Sequence, residues 1–291
     1  MLLIKVVQAN LLKKYGGEKV IEKEHMVAKK WLILDATTIK IIALVLMVFD
    51  HIHQMYAADG APLWLTMLGK PVIPLFLFIA ADSFHYTHNR KNYLNRLLYA
   101  SWGITILTLL VSIVFPNSRV VLIYNTFSTF YVTGLYMQFW DWFVNGIKER
   151  KVSFIVKSLV GCTIPVLCTA PLIISRALLL DPNTPRVLAC TLAFLALLIP
   201  NIMTVEGGFS IVALGVLFYI FREKRIIQVS VLLAFSMLVY ILNQGGIQWL
   251  MCGAAIPMLL YNGERGRGLK RFFYIFYPAH IILLHFCSTI F

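Results

Sequence analysis

Residues 39–51, which read IKIIALVLMVFDH, decide the fold of this chain. Apolar residues on either side extend the run to 35–56, about the length that crosses a bilayer, so it predicts a first membrane-spanning helix. Lys40 and His51 are eleven residues apart, which at 100° per residue puts them within about 20° of one another and about 16 Å apart along the helix. Ionisable groups at membrane depth usually line a cavity or a reaction site, although a lone histidine near a helix end can also sit hydrated among the headgroups.

The composition is that of an integral membrane protein. Of the 291 residues, 59% are hydrophobic and 13% are charged, whereas soluble domains carry about 25% charged residues. Ten apolar runs are candidate helices: 35–56, 63–86, 93–115, 120–146, 153–174, 187–203, 208–222, 226–243, 246–261 and 271–290. They predict an all-α, polytopic transmembrane bundle of about nine to ten helices or half-helices, because the runs lack the alternation of a β-barrel.

Charge predicts the orientation. The formal net charge is +13, and Lys and Arg cluster at the ends of the apolar runs. This pattern favours anionic membrane lipids over nucleic acid as a partner, and it predicts a multi-pass protein of the cytoplasmic membrane with a cytoplasmic N-terminus. Ten full crossings would place the basic clusters at 222–225 and 265–271 outside. One run between 153 and 222 is therefore expected not to cross fully, which leaves nine crossings.

Two regions are predicted. Residues 1–30 mix leucines with lysines and read as an interfacial amphipathic segment, with a disordered basic tail as the alternative, and 31–291 form one transmembrane domain. No short apolar stretch with a small-residue cleavage site opens the chain, so no removable signal peptide is expected. The five cysteines lie in apolar runs without paired spacing, so neither a disulfide nor a metal site is expected.

Further polar clusters accompany the first. A polar cluster lies at the end of the second run, at Asp82 and His85, and continues after it with Arg90, Lys91 and Arg96. The basic residues among them could hold an anionic cofactor, or they could simply mark a cytoplasmic loop without a ligand.

The last run carries His280 two residues after Pro278. Proline frees a backbone carbonyl, so either the helix opens toward a cavity or the histidine packs by donating to that carbonyl. Asn125, Glu206 and the pair Asn243 and Gln244 could line a cavity or simply join helices.

Three blocks of the sequence resemble the TraX family, membrane proteins named for the acetylase of conjugative pilin. The blocks are LD at 34–35 with TIKIIA at 38–43 and MVFDH at 47–51; PLFLFIAADSF at 74–84 with Thr87, Asn89, Arg90, Tyr93, Arg96 and Leu97; and FYIFYPAH at 273–280. The resemblance spans nearly the whole chain. It departs where Asp82 and Ser83 stand in place of an expected acidic residue and glycine, and the middle third carries little signature.

The TraX group is similar in turn to acyltransferase family 3, whose first helix carries a basic residue, ten others and a histidine. Lys40 and His51 fit that spacing, with lysine in place of the usual arginine. The resemblance implies an acetyltransferase that uses cytosolic acetyl-CoA, with His51 as the catalytic base or nucleophile. Asp50 is either its catalytic partner or, because adjacent helical residues point about 100° apart, pairs across to another helix.

The remaining candidates follow from the same comparison. Lys40, Arg90, Arg96 and His280 are expected to hold the acetyl-CoA. Further cavity candidates are Asp35, Asp82, His85, Asn125 and Tyr277. The acceptor is a peptide amine, such as the N-terminus of a pilin-like peptide, or a glycan hydroxyl. The alternatives are a proton-coupled secondary transporter that uses His51, Asp50 and Lys40, and a non-catalytic scaffold of a conjugation or secretion apparatus.

Overall fold

The computed structural model of the protein describes residues 32–117, 120 and 125–290. The predicted interfacial segment at 1–30 lies outside these residues. The described chain is helical and contains no β-strand, apart from a parallel bridge between Leu34 and Tyr261. The predicted all-α fold is therefore confirmed.

Twelve α-helices follow one another in the described residues. They are α1 (Ala36–Tyr56), α2 (Trp64–Gly69), α3 (Val72–His85), α4 (Arg90–Val114), α5 (Thr126–Lys148), α6 (Val152–Leu167), α7 (Ala170–Leu180), α8 (Arg186–Leu197), α9 (Gly208–Ile220), α10 (Arg225–Leu242), α11 (Ala255–Leu260) and α12 (Lys270–Ile290). Two 3-10 helices, Ala57–Asp59 and Gln248–Ala254, precede α2 and α11. Six segments are long and apolar enough to span a membrane: Ala36–Asp59, Trp64–His85, Arg90–Val114, Val152–Leu180, Arg225–Leu242 and Arg271–Ile290.

Side chains cap the helices that surround the site. The carboxylate of Asp35 accepts from the amide of Thr38 at 2.7 Å where α1 begins. Asn89 and Asn125 do the same at the starts of α4 and α5. Each cap satisfies an amide that has no partner within its own helix, which matters most where the helix begins inside an apolar bundle.

The helix α3 forms the centre of the bundle. The span Trp64–His85, which contains α3, is 56% buried over its most apolar stretch, whereas the other five long spans are 22% to 33% buried over theirs. It packs against α1, α5 and α9 through fully buried Leu75, Leu77 and Phe84. Gly215 lets α9 approach closely, because a Cβ there would meet the side chains of Thr133 and Leu77.

One crossing is made of two half-helices, α8 and α9. The carbonyl of Leu198, just after α8, accepts from the indole of Trp102 at 2.7 Å, halfway along α4. At the end of α9, the hydroxyl of Tyr219 donates to Asp141 at 2.7 Å, and Asp141 pairs with Arg90 at the start of α4. Residues 198–207 therefore interrupt this crossing near the middle of the bundle.

The described helices can be followed as nine crossings of the bundle, six of which contain a segment that is long and apolar enough to span a membrane. The crossings are α1, α2 with α3, α4, α5, α6 with α7, α8 with α9, α10, residues 248–260, and α12. The runs at 187–203 and 208–222 share one of them. Arg90, residues 222–225 and the loop at 262–268 then lie at the end where α1 begins, which we call the basic end. Its position on the cytoplasmic side remains a prediction from charge.

Candidate active site

Two histidines from the first and last described helices meet inside the bundle. The Nδ1 atom of His51 on α1 lies 2.7 Å from the Nε2 atom of His280 on α12. Their rings are nearly parallel and meet edge to edge, with an interplanar angle of 7° and centroids 4.9 Å apart. The Nδ1 atom of His280 lies 2.8 Å from the carbonyl oxygen of Phe276. The structure thus brings together two of the histidines that the sequence singled out.

These contacts determine which nitrogen of each neutral histidine carries the proton. A carbonyl oxygen can only accept, so Nδ1 of His280 donates to Phe276, and Nε2 of a neutral His280 must be the acceptor. Nδ1 of His51 is then the donor to His280. The remaining nitrogen of His51, Nε2, carries a free lone pair and can act as a base or a nucleophile.

His280 does not donate to the carbonyl that Pro278 frees, which was one of the two arrangements expected from the sequence. Pro278 leaves the carbonyl of Tyr274, four residues earlier, without its usual amide partner. His280 bonds instead to the carbonyl of Phe276, one turn before itself. The helix that carries His280 therefore also orients its ring.

A second chain of hydrogen bonds runs beside the histidines. Thr126 donates to a carboxylate oxygen of Glu206 at 2.9 Å, so the hydroxyl of Tyr277, 3.0 Å from the Thr126 hydroxyl, must donate to Thr126. The ring centroid of Tyr277 lies 6.5 Å from that of His51 and 5.9 Å from that of His280. Glu206 belongs to the interruption between α8 and α9, where irregular backbone at membrane depth must be buried in protein or line a cavity.

A cavity of about 470 Å³ lies between α1, α3, α4 and α12 and opens at the basic end. Met47, Thr126 and Tyr277 lie at its inner end. Met47 is one helical turn before His51 on α1, and the histidine pair lies behind this inner wall rather than on the lining.

The mouth of the cavity is positively charged. Lys40, Arg96, Arg265 and Arg267 line it together with one carboxylate, that of Asp82. Asp82 accepts a hydrogen bond from the hydroxyl of Tyr261 at 2.9 Å. Of the four cations, none has a carboxylate within ion-pair distance among the residues that the structure describes. Of the predicted site residues, Lys40, Arg96, Asp82 and Tyr277 thus share this cavity.

Asp50 faces away from His51. Its carboxylate accepts from Gln54 at 2.8 Å and from Thr66, and lies 3.6 Å from the ammonium of Lys70. These partners come from its own helix and from α2 and the residue that follows it. The structure therefore places Asp50 in the cross-helix pairing that the sequence left open, not beside the His51 ring.

Arg90 also lies outside the cavity. Its guanidinium is 2.5 Å from a carboxylate oxygen of Asp141 and stacks over the ring of Phe84 at 4.9 Å. It thereby joins α3, α4 and α5 at the basic end. The structure gives Arg90 these protein partners in place of the expected cofactor contact.

Three further candidates have local structural contacts. Exposed His85 packs on the rings of Tyr86 and Tyr219. Buried Asn125 caps α5 and donates to Ser101 and Thr105 of α4. Asp35 caps α1, and the hydrogen bond from the Thr38 amide lowers the pKa of its carboxyl below the usual range.

Sequence reasoning missed three residues of the site. Thr126 links Tyr277 to Glu206, and no pattern distinguishes it from other threonines of apolar helices. Arg265 and Arg267 were read only as orientation signals. The glycines that alternate with them in the loop 262–268 were the available sign that this segment has a specific shape.

The chain was compared with known protein families, curated proteins and solved structures. A family model described as TraX protein matches residues 35–288, which include both histidines and the whole cavity lining. A relative from Dichelobacter nodosus, described as "Probable fimbrial assembly protein FimC, serogroup H1", is 23% identical over 273 residues, which cover 87% of this chain and 95% of the relative. No solved structure shows a significant match to the chain.

Proposed function

Since the chain belongs to the TraX protein family, we propose that it is a membrane-embedded acyltransferase that moves an acetyl group from cytosolic acetyl-CoA to an amine or hydroxyl acceptor. The observation that carries this proposal is the contact between the two histidines, whose proton order leaves Nε2 of His51 without a partner, behind the inner wall of a cavity with a basic mouth. The relative's name, a fimbrial assembly protein, favours a pilin-like peptide as the acceptor.

The chemistry needs one base. The acceptor nitrogen or oxygen attacks the thioester carbonyl while Nε2 of His51 removes its proton, so that an N–H or O–H bond breaks and a C–N or C–O bond forms. The C–S bond then breaks, and the proton on His51 passes to the departing sulfur. Neutral imidazole suits both steps near pH 7.

His280 acts on His51 rather than on the donor in this proposal. By accepting from Nδ1, its Nε2 atom holds the proton of His51 on the nitrogen that faces away from the reaction. In hydrolytic triads a carboxylate does this work. Here a neutral ring held by the Phe276 carbonyl does it, while Asp50 is occupied by Thr66 and Lys70.

Tyr277 controls access to the histidine in this proposal. It lies at the inner end of the cavity and contacts the rings of both histidines. The thioester reaches Nε2 of His51 when this ring turns aside. Its hydroxyl contact with Thr126 holds it in the position that the structure shows.

Transfer of label tests the proposal. The purified chain in lipid nanodiscs receives acetyl-CoA with a labelled acetyl group and a peptide with a free N-terminus. Replacing the base typically costs 10²- to 10⁴-fold in rate, so His51→Ala should lower label transfer by roughly that factor. The matched control is His85→Ala, because His85 is exposed and outside the cavity lining. Full transfer by His51→Ala would refute the assignment.

One observation favours a second function. The interruption between α8 and α9 places the carboxylate of Glu206 near the middle of the bundle, and discontinuous helices of this kind carry the substrate sites of many secondary transporters. A transporter would move protons with a solute across sealed vesicles in the absence of CoA, and this flux would depend on Glu206. The acyltransferase would show no such flux and would cleave the thioester.

A further inference from the structure

The loop 262–268 is built onto the start of α1 through main-chain contacts. The amide of Asn262 donates to the carbonyl of Leu34 at 2.8 Å, and the amide of Ala36 donates to the carbonyl of Glu264 at 2.9 Å. The hydroxyl of Thr37 contacts the carbonyls of Arg265 and Arg267 at 3.1 and 2.6 Å. Since the backbone makes these contacts, the two arginine side chains are left to line the cavity.

A glycine is required for this path. Gly266 has a φ of +67°, and a Cβ there would collide with the carboxylate of Asp35, the cap of α1. Only glycine adopts this conformation without strain while leaving room for that carboxylate. Gly266 therefore lets the loop pass close to the cap of α1 while Arg265 and Arg267 line the cavity.

The positive charges at the mouth of the cavity favour the binding of an anion. Lys40, Arg96, Arg265 and Arg267 line one cavity with the single carboxylate of Asp82, and Asp82 also holds the hydroxyl of Tyr261. Like charges that converge on a cavity repel one another and attract an anion of opposite charge. Guanidinium groups in particular bind phosphate oxygens in pairs.

The distance between Lys40 and His51 limits which anions could reach both residues. Lys40 lies about 16 Å before His51 along α1, and the two arginines lie at the same end of the cavity as the start of α1. A ligand with its phosphates among these cations and its reactive carbonyl at His51 needs a long thin arm between them. CoA thioesters have this shape, whereas acetyl phosphate and free nucleotides do not.

We propose that Arg265 and Arg267, on the loop 262–268, bind the phosphate groups of the acyl donor, with Lys40 and Arg96 completing the site. This inference rests on the proposed function for the identity of the donor. It assigns part of the acetyl-CoA-binding role expected of Arg90 to two residues that the sequence presented only as orientation signals.

Binding of CoA itself, which carries no acyl group, tests the inference without turnover. The purified full-length chain is placed in nanodiscs of phosphatidylcholine, and CoA is titrated by calorimetry. We expect Arg265→Gln with Arg267→Gln to raise the Kd for CoA at least tenfold, and Arg265→Lys with Arg267→Lys to give an intermediate value. The matched control is Arg271→Gln, an exposed arginine of α12 outside the cavity lining, which should bind as the wild type does.

The loop backbone offers a second, independent variant. Gly266→Ala should weaken CoA binding by displacing both arginines without removing any charge. Gly60→Ala introduces a similar backbone strain, at a φ of +87°, where an added Cβ meets nothing within 4 Å and outside the cavity lining, so it should leave binding unchanged. Equal binding by both glycine variants would contradict a positioned loop.

Each failure has its own signature. If the wild type binds CoA and the arginine variants bind it within twofold of the wild type, the inference is wrong, while label transfer that depends on His51 leaves the proposed function standing. If the wild type does not bind CoA, both the inference and the proposed donor fall. If phosphatidylglycerol in the nanodisc displaces CoA only when the two arginines are present, the site prefers a lipid headgroup, and the inference is wrong.

Discussion

At the scale of single residues, the pairing of His51 with His280 avoids a buried charge. An ion pair inside a bundle must offset the loss of hydration of both ions. Two neutral rings need no such compensation. Nδ1 of His51 donates to Nε2 of His280, and Nδ1 of His280 donates to the Phe276 carbonyl, so these three nitrogens all have partners. The lone pair on Nε2 of His51 is then fixed by the order of these hydrogen bonds rather than by a nearby carboxylate.

Substitution of His280 tests this role. Glutamine can offer an amide oxygen near the position of the Nε2 atom, so His280→Gln should keep most of the kcat for label transfer, whereas His280→Ala should lower kcat on the order of tenfold or more. KM for acetyl-CoA should stay unchanged in both variants, because His280 does not line the donor cavity. A rise in KM at constant kcat would instead return His280 to the donor-binding role expected from the sequence.

Thr126 provides a test of stability. Thr126→Val keeps the shape of the side chain but leaves the Tyr277 hydroxyl without its acceptor and the Glu206 carboxylate without its donor. Unsatisfied buried groups cost about 1–3 kcal/mol, and denaturant unfolding in detergent should show a loss of that size. Thr163→Val is the control, because that exposed hydroxyl bonds to its own helix. Equal losses in the two variants would show that the network contributes nothing.

At the scale of helices and loops, the capping of α1 makes a prediction about pH. Asp35 has a lowered pKa in the folded chain, so its ionised cap stabilises the fold above the unfolded value of 3.8 and is lost as the pH falls through the folded value. Asp35→Asn keeps a capping oxygen without a charge. Thermal unfolding should therefore show a small advantage of the wild type at pH 6 that shrinks below about pH 4. An advantage that grows on acidification would contradict this assignment.

The elements also show what could be predicted from the sequence. Apolar runs locate the spans, because hydrophobic length is a local property, and the spacing of Lys40 and His51 needs only helical geometry. The joining of α8 and α9 into one crossing depends on Trp102 and Thr129, which hold the interruption from other helices. The contact of His51 with His280 joins residues 229 positions apart. Asp50 and Arg90 have partners on neighbouring helices. These partners could not be predicted, because the direction of a side chain depends on how the helices pack, and the sequence of one apolar run does not determine that packing.

At the scale of the whole molecule, nine crossings fix which loops share a side. In a cysteine-free background, Glu223→Cys reports on the basic end and Ala58→Cys on the opposite end, since both positions are exposed. A membrane-impermeant maleimide should label Ala58→Cys in intact cells and Glu223→Cys only in inverted vesicles. Ten complete crossings would put residue 223 outside, so labelling of both variants in intact cells would refute the shared crossing of α8 and α9.

The histidine pair also makes the proposed site depend on two distant parts of the chain. His51 lies on the first described helix and His280 on the last, 229 positions later. In the proposed mechanism, a polypeptide that lacks α12 holds an imidazole without its hydrogen-bond partner. Two separately expressed fragments, one ending before α12 and one supplying it, would therefore transfer the acyl group only when α12 packs against α1 in a reassembled bundle.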